Sequence, residues 1–394
     1  MALRPAAPVT ALPGRLGRHV ATVAGGETVR AFIPPPLPPD PPIDMAPLLQ
    51  RLSAADQALG RLDGIATLLP SHALFLYMYV RKEAVLSSQI EGTQSTLADL
   101  LQFEAAQRAG TAFDDVREVS NYVAAMQHGL ERLASLPLSL RLIREMHAHL
   151  LRDGRGAAKD PGAFRRSQNW IGGTRPGNAL FVPPPPHELA ACLGALEAFI
   201  HEDTSGLPVL IKAGLLHVQF ETIHPFLDGN GRIGRLLVTL YLCTQGVPRQ
   251  PLLYLSLFLK AHRADYYRLL QEVREHGAWE AWLEFFLRGV AETAGQAFQA
   301  ATRITELFQQ DRARLADAGG SALRIQELMQ RHPYASSAVL ARASGLTAPT
   351  VNAALAALLR HGIVHETTGR RRGRVFAYTA YLAILNEGTE PLPR

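Results

Sequence analysis

Residues His224–Arg235 read HPFLDGNGRIGR and separate two apolar helical stretches, Val209–Phe220 and Leu236–Cys243. The Gly-Asn-Gly turn at the centre combines two glycines, which adopt backbone angles that other residues resist, with an asparagine that tolerates them. Consecutive N–H groups in such a turn form a concave nest for anions. A helix that starts at Asn230 or Gly231 adds its N-terminal N–H groups and its dipole at the same place. The segment therefore predicts an anion site between two buried helices.

The charged residues of this segment indicate the kind of anion. Arg232 and Arg235 are three residues apart, so on a helix they share a face, and two guanidinium groups beside an anion nest suit a polyphosphate. Asp228 precedes the nest and can hold a divalent cation that bridges phosphates. His224 lies within reach as a general base. We interpret the segment as a site for a phosphate-bearing nucleotide, with a base that activates an incoming hydroxyl.

The twelve residues resemble the signature of the Fic family, HPF-x-[DE]-G-N-G-R-x-x-R, at every fixed position. The resemblance covers about residues 50–290. It implies that ATP and Mg²⁺ bind here, with His224 as the base and Asp228 as the cation ligand. The implied ATP-binding residues are Gly229, Asn230, Gly231, Arg232, Gly234, Arg235 and Tyr266. Tyr266 stands where the family often has an aromatic pair, and it can equally be a core residue.

By this resemblance we expect a protein adenylyltransferase. A target Ser, Thr or Tyr hydroxyl attacks the α-phosphate of ATP, AMP is transferred and pyrophosphate is released. The signature does not fix the reaction, because relatives transfer other phosphate-containing groups and some remove AMP. The alternatives are removal of AMP with Glu91 aligning a water, a DNA-binding regulator that senses nucleotide through the Fic core, and a scaffold with an inactive site.

The stretch Ser87–Thr93 reads SSQIEGT and precedes the signature in the chain. Ser87 and Glu91 are four residues apart and share a helical face, and Gly92 can end the helix in the left-handed conformation. These residues resemble the inhibitory motif [ST]-x-x-x-E-[GN] of the Fic subgroup whose own N-terminal helix carries the inhibitor. The resemblance implies that Glu91 pairs with Arg235 and that Ser87 steadies the carboxylate. The alternative is an ordinary helix end.

The stretch Phe164–Pro186 contains a strong turn signal, Pro176-Gly177-Asn178, between short apolar segments. We expect a β-hairpin around Ile171–Val182 in an otherwise helical domain. Free hairpin edges can pair with an extended segment of another protein. The hairpin resembles the flap by which Fic proteins hold a target side chain over the signature, and the alternative is a purely structural excursion.

Composition places the chain among soluble globular proteins. It has 394 residues, 47% hydrophobic and 19% charged, which indicates two or three domains. The net charge of +5 is not concentrated in one block, so it does not by itself indicate a nucleic-acid partner. Cys192 and Cys243 lack disulfide or zinc spacing. No glycine is followed by lysine, which excludes a Walker A loop, and no apolar run approaches the length of a membrane span. We expect a cytoplasmic protein with no membrane partner.

We expect a mostly α-helical fold, with a Fic helical core, a short β-hairpin flap and a C-terminal winged helix-turn-helix domain. The expected segments are a Pro-rich N-terminal arm (1–44), N-terminal helices with the inhibitory motif (45–115), the Fic core (116–295), a helical linker (296–319) and the winged-helix domain (320–394). Apolar periodicity predicts helices that include Leu97–Ala106, Trp279–Ala291, 292–318 and Thr347–His361. The run Pro34–Pro42 favours extended geometry, either laid over the chain's own domain or bound by a proline-recognising module.

The C-terminal segment predicts helix, short helix, turn, helix and a hairpin at Ile363–Glu366 and Val375–Thr379, the winged helix-turn-helix arrangement. Four arginines, Arg370, Arg371, Arg372 and Arg374, crowd the wing tip, where they either contact a phosphate backbone or form a solvated turn. Asn352 and Arg360 are the main polar groups of the recognition helix, which is thin for base readout. The partners we consider are a protein docked on the flap, DNA, the chain itself as a target, and a second copy in a homodimer.

Overall fold

The structure is a computed structural model that describes residues 13–68, 72–106, 114–202, 206–370 and 373–393. Most of these residues lie in α-helices, as the apolar periodicity predicts. The helix bounds are α1 Leu49–Leu68, α2 His72–Ile90, α3 Leu97–Ala106, α4 Asp114–Arg132, α5 Leu140–Leu150, α6 Pro186–His201, α7 Val209–Ile223, α8 Asn230–Thr244, α9 Ser256–Ala261, α10 Arg263–His276, α11 Trp279–Arg314, α12 Gly320–Arg331, α13 Ser337–Ser344, α14 Ala348–Arg360 and α15 Thr379–Asn386.

Helices α7 and α8 form the centre of the helical core. α7 reads VLIKAGLLHVQFETI, and every residue after Val209 is buried. A helix that is apolar on all sides is stable only when neighbours cover each face, and α6, α8, α10 and α11 all pack against α7. α8 in turn contacts α2, α4 and α5. The turn that joins α7 to α8 therefore lies at one end of a buried helix pair, which holds it rigidly.

α11 is a single helix of 36 residues that runs from the core into the C-terminal domain. The helices predicted at Trp279–Ala291 and 292–318 are joined without a break, because no proline interrupts the stretch and Ala294 and Ala297 continue the buried face. α1 packs along this helix. The core–linker boundary expected after residue 295 consequently falls inside a continuous helix.

Residues 18–33 form a β-hairpin where the sequence analysis predicts an irregular arm. Strands β1, Arg18–Ala24, and β2, Glu27–Ile33, pair antiparallel. The turn is Gly25-Gly26, and both glycines have positive φ, 56° and 83°. A two-residue hairpin turn of this kind needs positive φ at both positions, which glycine adopts without steric cost.

The proline run after this hairpin lies over the core, which is one of the two arrangements that the sequence analysis expects. Gln219 on α7 donates a hydrogen bond from Nε2 to the carbonyl of Pro35 at 2.8 Å. Arg15 donates to the carbonyls of Pro41 and Pro42 and forms an ion pair of 2.7 Å with Glu280 on α11. These contacts attach the N-terminal segment to the helices behind the signature.

The flap expected at Ile171–Val182 is held by one β-bridge, between Ile171 and Phe181, where the prediction has two short strands. The predicted Pro-Gly-Asn turn is a 3-10 turn. Phe32 on β2 donates from its backbone N–H to the carbonyl of Val182 at 2.8 Å. The N-terminal hairpin therefore flanks the flap, and one end of the flap is already paired within the chain.

The C-terminal domain is a winged helix, as predicted, with α12, α13 and α14 followed by a small sheet. The sheet strands are β3 Tyr334–Ser336, β4 His365–Glu366 and β5 Val375–Ala377, in the order β3-β5-β4. Thr347 caps α14 by accepting a hydrogen bond from the N–H of Thr350. β3 and α15 are not predicted from the sequence. Of the four wing arginines, Arg371 and Arg372 lie outside the described residues, and Arg374 lies 5.0 Å from the ring of Phe376.

Among the described residues, no helix combines the length and the apolar character needed to cross a membrane.

Candidate active site

The signature loop leaves α7 through a left-handed residue and enters α8 through another. His224 has φ 50° and ψ 60°, and Gly229 has φ 78°. A histidine at positive φ is uncommon, and such conformations cluster at functional sites. α8 then begins at Asn230, which is one of the two predicted starts. Its first free N–H groups therefore face the loop.

The side chain of Asn230 holds the loop together. Its Oδ1 accepts from the N–H of Phe226 and its Nδ2 donates to the carbonyl of Phe226, both at 2.8 Å. The side-chain amide, which we expected to contact phosphate, is thus engaged within the loop. Only its backbone N–H at the start of α8 remains suited to an anion.

A second histidine, His147 on α5, supports the loop from below. Its ring stacks on Phe226 with centroids 3.7 Å apart. The N–H of Gly162 donates to Nδ1 at 2.9 Å, so Nε2 carries the proton and donates to the carbonyl of Asp228 at 3.0 Å. Burial lowers the pKa of His147 to about 4. This ring is therefore a neutral structural support.

The base of the flap fixes the other side of the loop. Arg165 is buried and donates from its backbone N–H to the carbonyl of Pro225 and from Nε to the carbonyl of His224, both at 2.9 Å. Asn169 donates from Nδ2 to the carbonyl of Phe226 at 3.0 Å. The sequence analysis assigned neither residue to the site. Their only signal is a polar stretch, RRSQN, directly before the flap.

His224 faces a cavity of about 320 Å³. Its Nδ1 lies 3.3 Å from the carbonyl of Glu221, to which it donates, and this leaves Nε2 as a proton acceptor. Burial, reinforced by the positive charge of Arg274, lowers the pKa of His224 to about 3. The imidazole is therefore neutral at physiological pH. The cavity is lined by Glu91, Trp170, Ile171, Gly172, Glu221, His224, Gly231, Arg235, Tyr266, Tyr267, Leu270 and Arg274.

Arg235 joins α8 to α2. It donates from Nη2 to Glu91 Oε1 at 2.7 Å, and from Nε and Nη2 to the side chain and carbonyl of Ser87 at 2.7 and 3.0 Å. Ser87 therefore holds the guanidinium, whereas the sequence analysis had it steady the carboxylate. Burial favours the protonated form of Glu91, but Arg235 outweighs it and lowers the pKa. Gly92, with φ 100°, lies directly after Glu91 beyond the end of α2, as the inhibitory motif predicts.

Arg232 points away from the cavity that Arg235 borders. Its Nη1 lies 3.3 Å from Glu118 on α4, and its Nη2 lies 3.3 Å from Asp228 Oδ1. The two arginines of the signature thus serve different partners. Asp228 is partly exposed and also accepts from the N–H of Gly229 through Oδ1. The described residues contain no cluster of three or more His, Cys, Asp or Glu side chains that can hold a metal.

Two signature glycines allow carboxylates to approach α8. A Cβ at Gly231 lies less than 3.0 Å from Glu91 Oε1, and one at Gly234 lies less than 3.0 Å from Glu221 Oε1. Gly234 therefore lies against α7 and is absent from the lining of the cavity, although we expected it among the ATP-binding residues. Glu221 is buried, its Oε1 has no hydrogen-bond partner within the residues that the structure describes, and burial raises its pKa to about 7.

Tyr266 combines the two roles that the sequence left open. Its ring lines the cavity, but it is buried, and its hydroxyl lies 2.8 Å from Nε2 of His217 on α7. Nδ1 of His217 donates to the carbonyl of Gly234 at 3.2 Å, so Nε2 accepts from the Tyr266 hydroxyl. The next residue, Tyr267, is 40% exposed and presents the more accessible ring.

Comparisons with known proteins agree with this geometry. Family profiles match three ranges: Fic/DOC family N-terminal over residues 49–131, Fic/DOC family over 137–242, and winged helix-turn-helix DNA-binding over 321–365. Similar proteins include those named protein adenylyltransferase Fic from Drosophila grimshawi and Drosophila virilis, each 32% identical over 190 residues, which is 47% of this chain. The match spans 36% of the length of each of these relatives.

Solved structures show the same fold. A Fic family protein from Desulfovibrio desulfuricans aligns with a TM-score of 0.57 at 20% identity, over 86% of this chain and 97% of the other. A Fic domain-containing signalling protein from Bacteroides thetaiotaomicron aligns with a TM-score of 0.50 at 20% identity, over 64% of this chain and 97% of the other. The chain therefore contains the N-terminal domain and the Fic domain of the Fic/DOC family, followed by a winged helix-turn-helix domain.

Proposed function

We propose that this chain is a protein adenylyltransferase that transfers AMP from ATP to a Ser, Thr or Tyr hydroxyl of a target protein. The observation that carries the proposal is that a neutral imidazole and a partly free guanidinium, those of His224 and Arg235, border one cavity of about 320 Å³. Nη1 of Arg235 is buried and has no hydrogen-bond partner among the described residues. A buried unpaired donor is costly unless a ligand satisfies it, and phosphate is the ligand that guanidinium groups recognise best.

The reaction needs a base at the hydroxyl. The target oxygen attacks the α-phosphorus, its proton passes to Nε2 of His224, and the bond between the α-phosphorus and the bridging oxygen breaks, so that pyrophosphate leaves. His224 suits this role because the contact of Nδ1 with the carbonyl of Glu221 orients the ring and leaves the Nε2 lone pair free. A positioned base contributes about 10²–10⁴-fold to such a step.

The reaction also needs positive charge where the leaving group develops. The N-terminus of α8 presents the N–H groups of Asn230 and Gly231 to the loop, and its dipole favours an anion there. Arg235 lies one turn further along the same helix. Donors that are already oriented before the reaction stabilise the developing charge without reorganisation. We assign the phosphates of ATP to this end of α8.

We assign Mg²⁺ to Asp228, which is the carboxylate of the signature. Its Oδ1 is engaged by Gly229 and Arg232, which leaves Oδ2 for a cation. Protein-bound Mg²⁺ commonly uses one or two carboxylates and completes its shell with water and substrate phosphates. A single partly exposed carboxylate therefore fits a cation that arrives with ATP and neutralises phosphate charge.

We further propose that α2 inhibits the enzyme. Glu91 occupies Nη2 of Arg235, the group that a γ-phosphate would use, and its carboxylate borders the same cavity as His224. ATP can still enter, but its triphosphate is turned out of line for attack. Displacement of the reacting atoms by about 1 Å can cost about 100-fold in rate. Removal of AMP is the second candidate, because the same position of Glu91 would let it align a water.

For the target we propose docking on the flap. Leu180 is 78% exposed and Trp170 is 38% exposed, so the flap presents apolar side chains beside the cavity.

The exposed positions of α14 are Ala348, Pro349, Asn352, Ala353, Ala356 and Arg360. Such a face offers few hydrogen-bonding groups to base edges, so we propose that DNA contacts this domain through the phosphate backbone.

The test is incubation with Mg²⁺ and ATP labelled at either the α- or the γ-phosphate. Transfer of AMP leaves the α-label on protein and releases the γ-label as pyrophosphate, whereas phosphoryl transfer leaves the γ-label. Glu91→Gly should be included to relieve inhibition, and His224→Ala is the inactive control. Absence of α-label in Glu91→Gly with every hydroxyl target tried, together with release of AMP from a modified protein by the wild-type chain, which keeps Glu91, would favour the second candidate.

A further inference from the structure

The end of the inhibitory helix α2 is bound to the C-terminal segment of the chain. Gln89, two residues before Glu91, is buried, and its Nε2 donates to the carbonyl of Thr389 at 2.8 Å and to that of Ser95 at 2.9 Å. Thr389 is itself buried. About 300 residues of sequence separate the two partners. The side chain that fixes the last turn of α2 therefore takes one of its acceptors from beyond the winged helix.

A lysine completes this contact. Lys260 on α9 is buried, and its Nζ donates to Gln89 Oε1 at 2.8 Å, to the carbonyl of Gly388 at 2.8 Å and to that of Glu390 at 2.7 Å. An ammonium group has three donors, and all three are used here. Two of the three acceptors come from the C-terminal segment.

Loss of the segment would leave this network unsatisfied. Nε2 of Gln89 would lose one of its two acceptors, and Lys260 would keep only Gln89 Oε1. A buried amide or ammonium without its partners is costly, more so for the charged group. Water that takes the place of the segment can satisfy these donors but does not fix their position, so the last turn of α2 gains freedom to move Glu91 relative to Arg235.

The segment follows directly from the winged-helix domain. α15 ends at Asn386 and packs against α2, α3 and α11. Just before α15, the hydroxyl of Tyr378 donates to Asp311 on α11 at 2.7 Å. Residues 387–390 follow α15 directly, so a change in the position of the winged-helix domain on the core would also move these residues.

The outer side of the segment is open. Glu387 and Gly388 line a cavity of about 370 Å³ together with Lys82 of α2. On this side, an ion pair between Arg303 and Glu387, with both side chains about half exposed, tethers the segment at 2.8 Å. The pair is bidentate, with Nη1 donating to Oε2 at 2.9 Å and Nη2 to Oε1 at 2.8 Å, and solvent screens it because both side chains are about half exposed. The segment can therefore be displaced without breaking up the core.

We propose that residues Glu387–Glu390 form a C-terminal latch that holds α2 in its inhibitory position, so that the state of the winged-helix domain controls access of ATP to Arg235. The latch rests on the proposed function, because it regulates the same site. A partner or ligand that draws the winged helix away removes the acceptors of Gln89 and Lys260. α2 then releases Arg235, and the γ-phosphate takes the place of Glu91.

The test compares the full chain with a chain that ends at Asn386, and with Gln89→Ala and Lys260→Met. Each change should raise the rate of AMP incorporation about fivefold or more, because lost buried hydrogen bonds shift a local equilibrium by at least that factor. In a Glu91→Gly background the same changes should have less than about a twofold effect, since inhibition is already absent. Arg51→Gln, which breaks an exposed ion pair between α1 and Glu284 on α11, is the control and should leave the rate unchanged.

Hydrogen exchange supplies a readout that does not need activity. Truncation and Gln89→Ala should accelerate exchange at residues 87–93 and leave α7 protected. Unchanged exchange there, or unchanged rates in variants whose Glu91→Gly form is active, would overturn the latch. If Glu91→Gly itself transfers no AMP, the proposed function fails and the exchange measurement alone decides on the latch.

Discussion

Arg235 donates to Glu91 from Nη2 at 2.7 Å, while its Nη1 has no partner in the described part of the chain. The same guanidinium is tied to Ser87 through Nε. α2 therefore saturates one edge of the group and leaves the other for a ligand. Because a phosphate bound by the full fork needs both Nη groups, we expect Glu91 and the outer phosphate of ATP to compete for Nη2.

Glu91→Gly should raise modification of the chain or of a target about tenfold or more, because misalignment of a triphosphate costs at least that much. Arg235→Ala should lower it in either background, since we assign the phosphates of ATP to Arg235. Initial rates of AMP incorporation measure both. Glu272→Gly, which removes a partly exposed carboxylate paired with Arg268, is the matched control. An unchanged rate in Glu91→Gly would reduce Ser87–Gly92 to an ordinary helix end.

His224→Ala should abolish transfer and leave ATP binding and the fold largely intact, because the imidazole acts only in the chemical step. The expected loss is about 10²–10⁴-fold in kcat. Calorimetric titration with ATP in the Glu91→Gly background measures binding separately from turnover. Near-normal labelling by this variant would remove His224 from the role of base, whereas loss of ATP binding would make it a positioning residue.

Glu221 should control how ATP binding depends on pH. Burial raises its pKa to about 7, so the carboxyl is neutral below that pH and negative above it, and it borders the cavity that takes the phosphates. The KM for ATP should therefore rise as the pH increases through about 7, and Glu221→Gln should flatten this rise. His224 stays neutral across the range because its pKa lies near 3. Identical KM profiles for the two proteins would contradict this assignment.

The same raised pKa affects folding with a defined sign. In the folded chain Glu221 keeps its proton up to about pH 7, whereas in the unfolded chain it loses the proton near the ordinary pKa of 4.5. Its contribution to the free energy of unfolding is therefore complete below about pH 4.5 and is lost as the pH rises through 7. The thermal midpoint of Glu221→Gln should accordingly increase relative to that of the wild type as the pH rises.

The signature could be interpreted from sequence because its geometry is local. Gly229 supplies a positive φ, and Asn230 starts a helix, as the turn composition predicts. The Glu91–Arg235 pair was also expected, but on the resemblance to an inhibitory motif and not on local physics. The spacing of Ser87 and Glu91 places them on one helical face, which is consistent with a shared role. It does not show that Ser87 contacts Arg235.

Other parts of the site could not be predicted, because they depend on tertiary burial. Nothing in the sequence distinguishes Arg165 from its neighbour Arg166, yet only Arg165 is buried against the loop. Glu221 likewise acquires its raised pKa from packing against Gly234 and α8. The N-terminal hairpin, by contrast, had a signal in Gly25-Gly26 between alternating segments. The prediction of an extended arm followed the proline run after this hairpin instead.

Leu180→Asp should reduce modification of a protein target far more than ATP binding. Leu180 is the most exposed large apolar side chain of the flap, and a carboxylate there would disfavour an apolar contact with the target. Val23→Asp, at a similarly exposed position on β1, is the control and should have little effect. Target labelling and ATP titration are compared in each variant. Equal losses of both would mean that the flap supports the nucleotide site and does not dock the target.

The last prediction separates packing from ligand binding at Gly234. α8 lies so close to α7 at this position that a Cβ would fall less than 3.0 Å from Glu221 Oε1 and 3.2 Å from the ring of Phe220. Both neighbours are buried and cannot move freely. Gly234→Ala should therefore lower the free energy of unfolding by about 1–3 kcal/mol, as overpacking of a close contact does.

Gly295→Ala in α11 is the matched control for this variant. No atom lies within 4 Å of a Cβ built at Gly295, which also lies in a helix. Replacement of an unobstructed helical glycine by alanine stabilises by about 0.5–1 kcal/mol. Opposite signs for the two variants in chemical denaturation would therefore assign the Gly234 effect to contact with α7. If Gly234→Ala keeps wild-type stability but raises the KM for ATP, Gly234 belongs to the nucleotide site after all, and the close approach of the two helices is not what makes glycine necessary there.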